Sequence, residues 1–93
     1  MYELTPDRIK SIPNPDLEEE VTRYIVSGTL PNPFLRAILC NDLRETYFRA
    51  DHNNIKLIYE WVTWWWGNAP AQCWGSSDKM RGWHEAGGLN GQS

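Results

Sequence analysis

The chain has 93 residues, a net charge of −3 and only two cysteines, which bounds it to one small domain. The acidic balance argues against broad non-specific nucleic-acid binding. No apolar run reaches the roughly 18 residues a membrane span needs, and the first twenty residues are too polar and proline-punctuated for a secretory signal. The expected location is therefore cytoplasmic. Cys40 and Cys73 sit in apolar contexts and read as free, buried thiols in a reducing compartment.

In chain order, residues 1–13 read as an extended arm, with Ile9 and Ile12 pinning it to the body. Asn14 is a good N-cap and Pro15 suits the first helical position, so a helix is expected over Pro15–Ser27. Asp16, Glu18 and Glu19 complement its dipole, and Leu17, Val21, Tyr24 and Ile25 form its apolar stripe. Gly28 ends it. Asn32 and Pro33 repeat the same start, predicting a second helix to about Phe48. Its inward side would carry Leu35, Ile38, Leu39, Leu43 and Thr46 or Tyr47. Asn41, Asp42 and Glu45 interrupt that apolar pattern.

Asp51 is the next N-cap, which predicts a third helix from His52 to Trp66. Ile55, Ile58, Val62, Trp65 and Trp66 fall on one face, and Leu57, Trp61 and Trp64 on a second. A helix apolar over more than half its girth is central or has a second partner. Gly67-Asn68 and Pro70 should end it, with a loop over 67–75. Ser76 caps a fourth helix to about Ala86 with Met80 and Trp83 inward, and Gly87-Gly88 closes it. Residues 89–93 read as a mobile tail. With no alternating strand pattern, the expected fold is all-α: a compact bundle of about four short helices with an extended N-terminal arm, one domain over 1–93.

Five of the six tryptophans lie between Trp61 and Trp74. Rigid indoles either fill a compact core or form a binding surface. Trp61, Trp65 and Trp66 are assigned to the core. Trp64, Trp74 and Trp83 are open to either role.

No enzyme chemistry is expected. His52, His84, Cys40 and Cys73 lack zinc-site spacing, so neither metal nor cofactor is expected. Cys73, with His84 as base, lacks the electropositive setting of a reactive thiolate. Asp42 and Glu45, one helical turn apart, read as solvated acids.

The polar segment 41–54 allows two readings. In one, Asp42 or Asp51 pairs with Arg49 and fixes a hinge between helices. In the other, Arg36, Arg44 or Arg49 binds a phosphate or carboxylate. Asp51 and Asn54 resemble a capping box with Asn in place of Glu. Around Trp74, the sequence WGSSDK pairs an aromatic plate with a helix start, although Asp78 partly occupies that end.

The string PFLRAILCNDLRETYFRADHNN, followed by GNAPAQCWGS and GGL, resembles a family of small accessory proteins from tailed bacteriophages and prophages. The matching pattern comprises Tyr24, Gly28, Pro31, Phe34, Leu35, Ala37, Leu39, Asn41, Asp42, Leu43, Arg49, Ala50, Asp51, Asn54, Asn68, Pro70, Gly75 and Ser76. It covers about residues 24–89. The family usually has Gly-Gly before the Phe, where this chain has Asn32-Pro33. The resemblance implies an origin and supplies no catalytic residues.

It implies a protein that inhibits a host defence or housekeeping factor, such as a CRISPR effector, by stoichiometric protein–protein binding. A sponge for a nucleotide-type defence signal, as a homo-oligomer, is the alternative. A structural phage assembly factor is a third reading. The candidate binding residues are Asp42, Arg44, Arg49, Asp51, Asn54, Trp64, Trp74, Lys79 and Trp83. The expected partners are a host protein, a nucleotide-type small molecule or a second copy of the chain, rather than nucleic acid or membrane.

Overall fold

Successive N-caps divide the chain into short helices. The computed structural model describes residues 2–91, and among these there are six α-helices and no strand. They are α1 (Pro6–Lys10), α2 (Glu18–Ser27), α3 (Pro33–Leu39), α4 (Leu43–Arg49), α5 (Ile58–Asn68) and α6 (Ser77–Ala86). Single 3₁₀ turns at Pro15–Leu17 and Asn54–Leu57 lead into α2 and α5, and others lie at Ala71–Cys73 and Gly88–Gly91. The side chains of Thr5, Asn14, Asn32, Asp42 and Ser76 each accept a backbone N–H from the turn they open, satisfying donors that a helix start leaves free. No helix is long and apolar enough to cross a membrane.

The all-α expectation holds, but six helices replace about four. The predicted arm contains α1, which Thr5 caps and Pro6 opens. Its Arg8 donates to the Asn68 carbonyl at 3.1 Å and lies over the Tyr2 ring. The predicted helix 33–48 breaks at residues 40–42. Asn41 takes the left-handed conformation, φ 59°, which Asn tolerates better than most residues, and Asp42 then caps α4 at 3.1 Å. The break frees the Leu39 carbonyl, which accepts the Gly75 N–H at 2.7 Å. The predicted helix 52–66 opens as a 3₁₀ turn, becomes α-helical at Ile58 and continues to Asn68. Of the predicted mobile tail, residues 89–91 belong to the turn Gly88–Gly91, whose Leu89 packs on the core. Residues 92 and 93 lie outside the described part.

The core centres on Tyr24, Trp61 and Trp65, all fully buried. Tyr24 meets Trp65 edge-on at 6.2 Å and donates its hydroxyl to the Cys73 carbonyl at 2.6 Å. Its own carbonyl accepts the Trp83 indole N–H at 2.9 Å. Asn54, itself buried, accepts from Asn14 at 3.1 Å and from the Trp61 indole at 3.3 Å.

Two core expectations are corrected: Trp66 is 80% exposed and Leu43 69% exposed, and Ile55 and Val62, expected on the same face as Trp65 and Trp66, are exposed as well. Trp64 takes the inward place instead, 4% exposed. The reason is α1: the Trp64 indole donates to the Arg8 carbonyl and to Ser11, both at 3.0 Å, so the N-terminal segment covers that side of α5.

At the far end of α2 two backbones touch. Gly28 ends α2 at φ +75° and Gly88 stands against it at φ +67°. A Cβ on Gly88 would lie 2.5 Å from the Gly28 nitrogen. Gly88→Ala should therefore cost about 2–5 kcal/mol from strain and overpacking together. Gly67→Ala, where a Cβ meets nothing within 4 Å, should be neutral or stabilising by up to about 1 kcal/mol. Urea unfolding of the two variants would check this contrast.

Candidate functional site

The polar segment 41–54 resolves mostly into capping. Asp42 caps α4, and Asp51 accepts the Asn54 N–H at 2.7 Å. Arg49 pairs with Glu45 at 3.1 Å rather than with Asp42 or Asp51. The two sit at i and i+4 with the acid N-terminal, the favourable helical order, so the expected interhelical salt bridge is replaced by a local one. Arg36 donates to the Pro31 carbonyl at 2.6 Å. Arg44 is exposed and has no hydrogen-bond or ion-pair partner among the described residues. Arg49, Asp51 and Asn54 do share a hollow of about 440 Å³ with Phe34 and Phe48.

The tryptophan candidates separate. Trp64 and Trp83 are buried, with their indole N–H groups satisfied by protein acceptors. Trp74 is half-buried and, with Trp66 and Lys79, lines a groove of about 340 Å³. Lys79 and Trp83 also line a neighbouring cleft of about 640 Å³. The candidates thus gather at two separate places. Arg49, Asp51 and Asn54 meet beside α4, and Trp74, Lys79 and Trp83 meet beside α6. Asp42, Arg44 and Trp64 line neither.

The feature that sequence reasoning missed is an apolar row in water. Ile55, Tyr59, Val62 and Trp66 are 44%, 75%, 40% and 80% exposed. Tyr59, Val62 and Trp66, three and four residues apart, share one side of α5, and Ile55 precedes them in the 3₁₀ turn. On α4, Leu43, Tyr47 and Phe48 are exposed as well. Phe48 shares a hollow with Asn54, the residue before Ile55. The sequence showed two apolar faces on this helix, and of the three tryptophans assigned to the core Trp61 and Trp65 are buried and Trp66 is not.

The two thiols lie in surroundings that disfavour the thiolate. Cys73 is fully buried, and burial pushes its thiol up to about 12, the opposite of what a nucleophile needs. Burial also raises the half-buried Cys40 thiol; Asp42 adds to this and Arg81 opposes it. Its sulfur lies 3.6 Å from that of Met80. His84 is bonded through Nδ1 to the Gly28 carbonyl at 2.7 Å. Among the described residues no cluster of three or more His, Cys, Asp or Glu side chains is placed to hold a metal ion. No protein-family model, curated protein or solved structure matches the chain.

The buried acids predict an alkaline limit to stability. Burial raises the Tyr2 hydroxyl to about 12, with Arg8 opposing and Cys73 adding, and burial also raises Tyr24. In the unfolded chain the Cys73 thiol ionises near 9.0 and the tyrosines near 10.0. The folded form keeps all three protonated there, so their contribution is complete below pH 9 and is lost as pH rises from 9 toward 12. The urea midpoint should hold from pH 7 to 8.5 and fall above 9. In Cys73→Ala part of that fall should disappear.

Proposed function

We propose that the chain is a phage-encoded accessory protein that binds a host protein stoichiometrically and occludes it, docking through the exposed apolar side chains of α5 and the turn before it, together with those of α4. The observation that carries this reading is Trp66, 80% exposed beside a core that closes without it. An aromatic side chain offers about 150–250 Å² for burial. The seven exposed side chains together offer an area on the order of the 800 Å² per partner that a stable complex buries. Trp, Tyr and Arg dominate binding energy at such faces, and Trp66, Tyr59, Tyr47 and Arg44 supply all three types.

The charges select the partner's chemistry. Arg44 and Lys56, adjacent in sequence to Leu43 and Ile55, are exposed and have no ion-pair partner among the described residues. The fitting surface is an apolar hollow with carboxylates on its rim. No chemical step is required, since covering a functional face of a host defence or housekeeping factor is sufficient.

A sponge for a nucleotide-type signal has one observation in its favour: Trp66, Trp74 and Lys79 line the same groove. A base between the two indoles and a phosphate on Lys79 would raise the melting temperature by mass action. Arg44 and Arg49 lie on α4, away from the residues lining that groove, which leaves a polyphosphate with one cation. A thermal-shift panel of mono-, di- and cyclic nucleotides separates the readings, since the docking reading expects no shift.

Trp66→Ala and Tyr59→Ala should leave unfolding free energy within about 0.5 kcal/mol of the parent, whereas Trp61→Ala should cost about 3–5 kcal/mol. With a purified host partner, either surface variant should weaken a 1:1 complex by tenfold or more, read by calorimetry. Undiminished affinity in both would sink this docking face. Sedimentation of the protein alone provides the contrast: a dimer that Trp66→Ala makes monomeric would mean that a second copy covers the row.

A further inference from the structure

A cleft of about 640 Å³ opens between α6, the Ala71–Cys73 turn and the Gly88–Gly91 turn. Small-molecule sites typically span roughly 300–1,000 Å³ and combine apolar walls with a few placed polar groups. Here Pro70, Trp83 and Leu89 supply apolar wall, and Tyr2 supplies an aromatic ring. The polar ends of the two aromatics are already committed: the Tyr2 hydroxyl donates to the Asn68 carbonyl at 2.7 Å, and the Trp83 indole to the Tyr24 carbonyl at 2.9 Å. These bonds fix the walls. Two lining polar groups are left over, the Lys79 ammonium and the Gln72 amide, neither of which has a side-chain partner among the described residues.

Gly82 is the second, independent pointer. It lies inside α6 and lines the cleft. It does not hold the left-handed conformation, and a Cβ there would meet nothing within 4 Å. Glycine inside a helix costs stability relative to alanine, and neither backbone geometry nor crowding requires it here. What its absent side chain does is leave the cleft open between Lys79 and Trp83, which share its face of the helix at i and i+4.

We propose that this cleft binds a small aromatic acid carrying one negative charge. The flat body lies against Trp83 and Pro70. The carboxylate takes the Lys79 ammonium and a hydrogen bond donated by the Gln72 amide. A polyphosphate fits poorly, because Lys79 is the one cation among the lining residues. The inference is independent of the docking reading, since no residue of the row from Ile55 to Trp66 lines the cleft.

The test is an NMR titration of ¹⁵N-labelled full-length protein with 2-naphthoate. The expected result is a saturable shift of the Trp83 indole and Gly82 amide signals. A charge-assisted hydrogen bond implies that Lys79→Gln weakens binding about tenfold or more. Uncharged 2-naphthalenemethanol should bind correspondingly weakly to the parent. Gly82→Phe should fill the cleft and abolish binding, while its melting temperature stays at or above the parent's, so that loss of binding is not loss of fold. Trp66→Ala should bind as the parent does, which keeps failure of the docking reading distinguishable. Shifts confined to Tyr59, Val62 and Trp66 would overturn the proposal, as would parent-like affinity in both Lys79→Gln and Gly82→Phe.

Discussion

Tyr24 is the joint on which the architecture turns. Three contacts converge on it: its hydroxyl on the Cys73 carbonyl, its carbonyl on the Trp83 indole, and its ring on the edge of Trp65. They tie α2 to the 3₁₀ turn before α6, to α6 itself and to α5. None of these helices exceeds eleven residues, and isolated helices shorter than about 12–15 residues are marginal in water. Their persistence depends on tertiary partners. An aromatic residue with a polar end suits that need, because one side chain supplies both apolar area and a directional bond.

The same logic accounts for the abundance of tryptophan. The indoles of Trp61, Trp64 and Trp83 each bury a large apolar body and donate to an acceptor on another element: Asn54, the Arg8 carbonyl with Ser11, and the Tyr24 carbonyl. Trp65 departs from the pattern. It is fully buried, and its Nε1 has no partner among the described residues. An unsatisfied buried donor costs about 1–3 kcal/mol. Edge-on packing against both Tyr24 and Trp64 offsets this, at about 0.5–1.5 kcal/mol per aromatic pair beyond area burial. Within the central trio, Tyr24 and Trp61 are held by hydrogen bonds as well as packing, and Trp65 by ring geometry.

What could be read from the sequence follows from whether the signal is local. Asn14-Pro15, Asn32-Pro33, Ser76, Gly28 and Gly87 mark helix ends through their own chemistry, and the ends lie there. The same device, Thr5-Pro6-Asp7, stood unread at α1, because a five-residue helix leaves no periodicity to support it. The break at Asn41-Asp42 was visible as polarity in an apolar stripe. It was not recognisable as a left-handed residue followed by a cap, since Asn and Asp fit a helix surface equally well. The orientation of α5 was illegible for a different reason. Consecutive helical residues are about 100° apart, so Trp64, Trp65 and Trp66 sweep about 200°. A helix packed on one side must turn one of the three outward. Which one depends on α1, forty-eight residues away in sequence at its nearest edge and invisible to any local pattern. Candidate site residues fared accordingly: Asp51, read as a cap, caps the Asn54 turn, Asp42, read as an interruption, caps α4, and Trp66, assigned to the core, is in water.

Geometry therefore explains why one of the three consecutive tryptophans is in water, but not why that position is tryptophan. A lysine or glutamate at 66 would serve the fold equally well, and so would polar residues at 55, 59 and 62, since the core is complete without any of the four. Single exposed apolar residues are ordinary on protein surfaces. Three on one side of α5, with Ile55 in the turn before it and three more on α4, are more than such scatter accounts for. Gly82 poses the converse case, a position where the fold would accept a side chain and the sequence withholds one. Both departures lie where stability alone would have chosen otherwise, and such local departures concentrate at functional surfaces. They meet near Lys79, which lines both the groove beside Trp66 and the cleft beside Trp83, so the two surfaces adjoin without sharing their aromatic contacts.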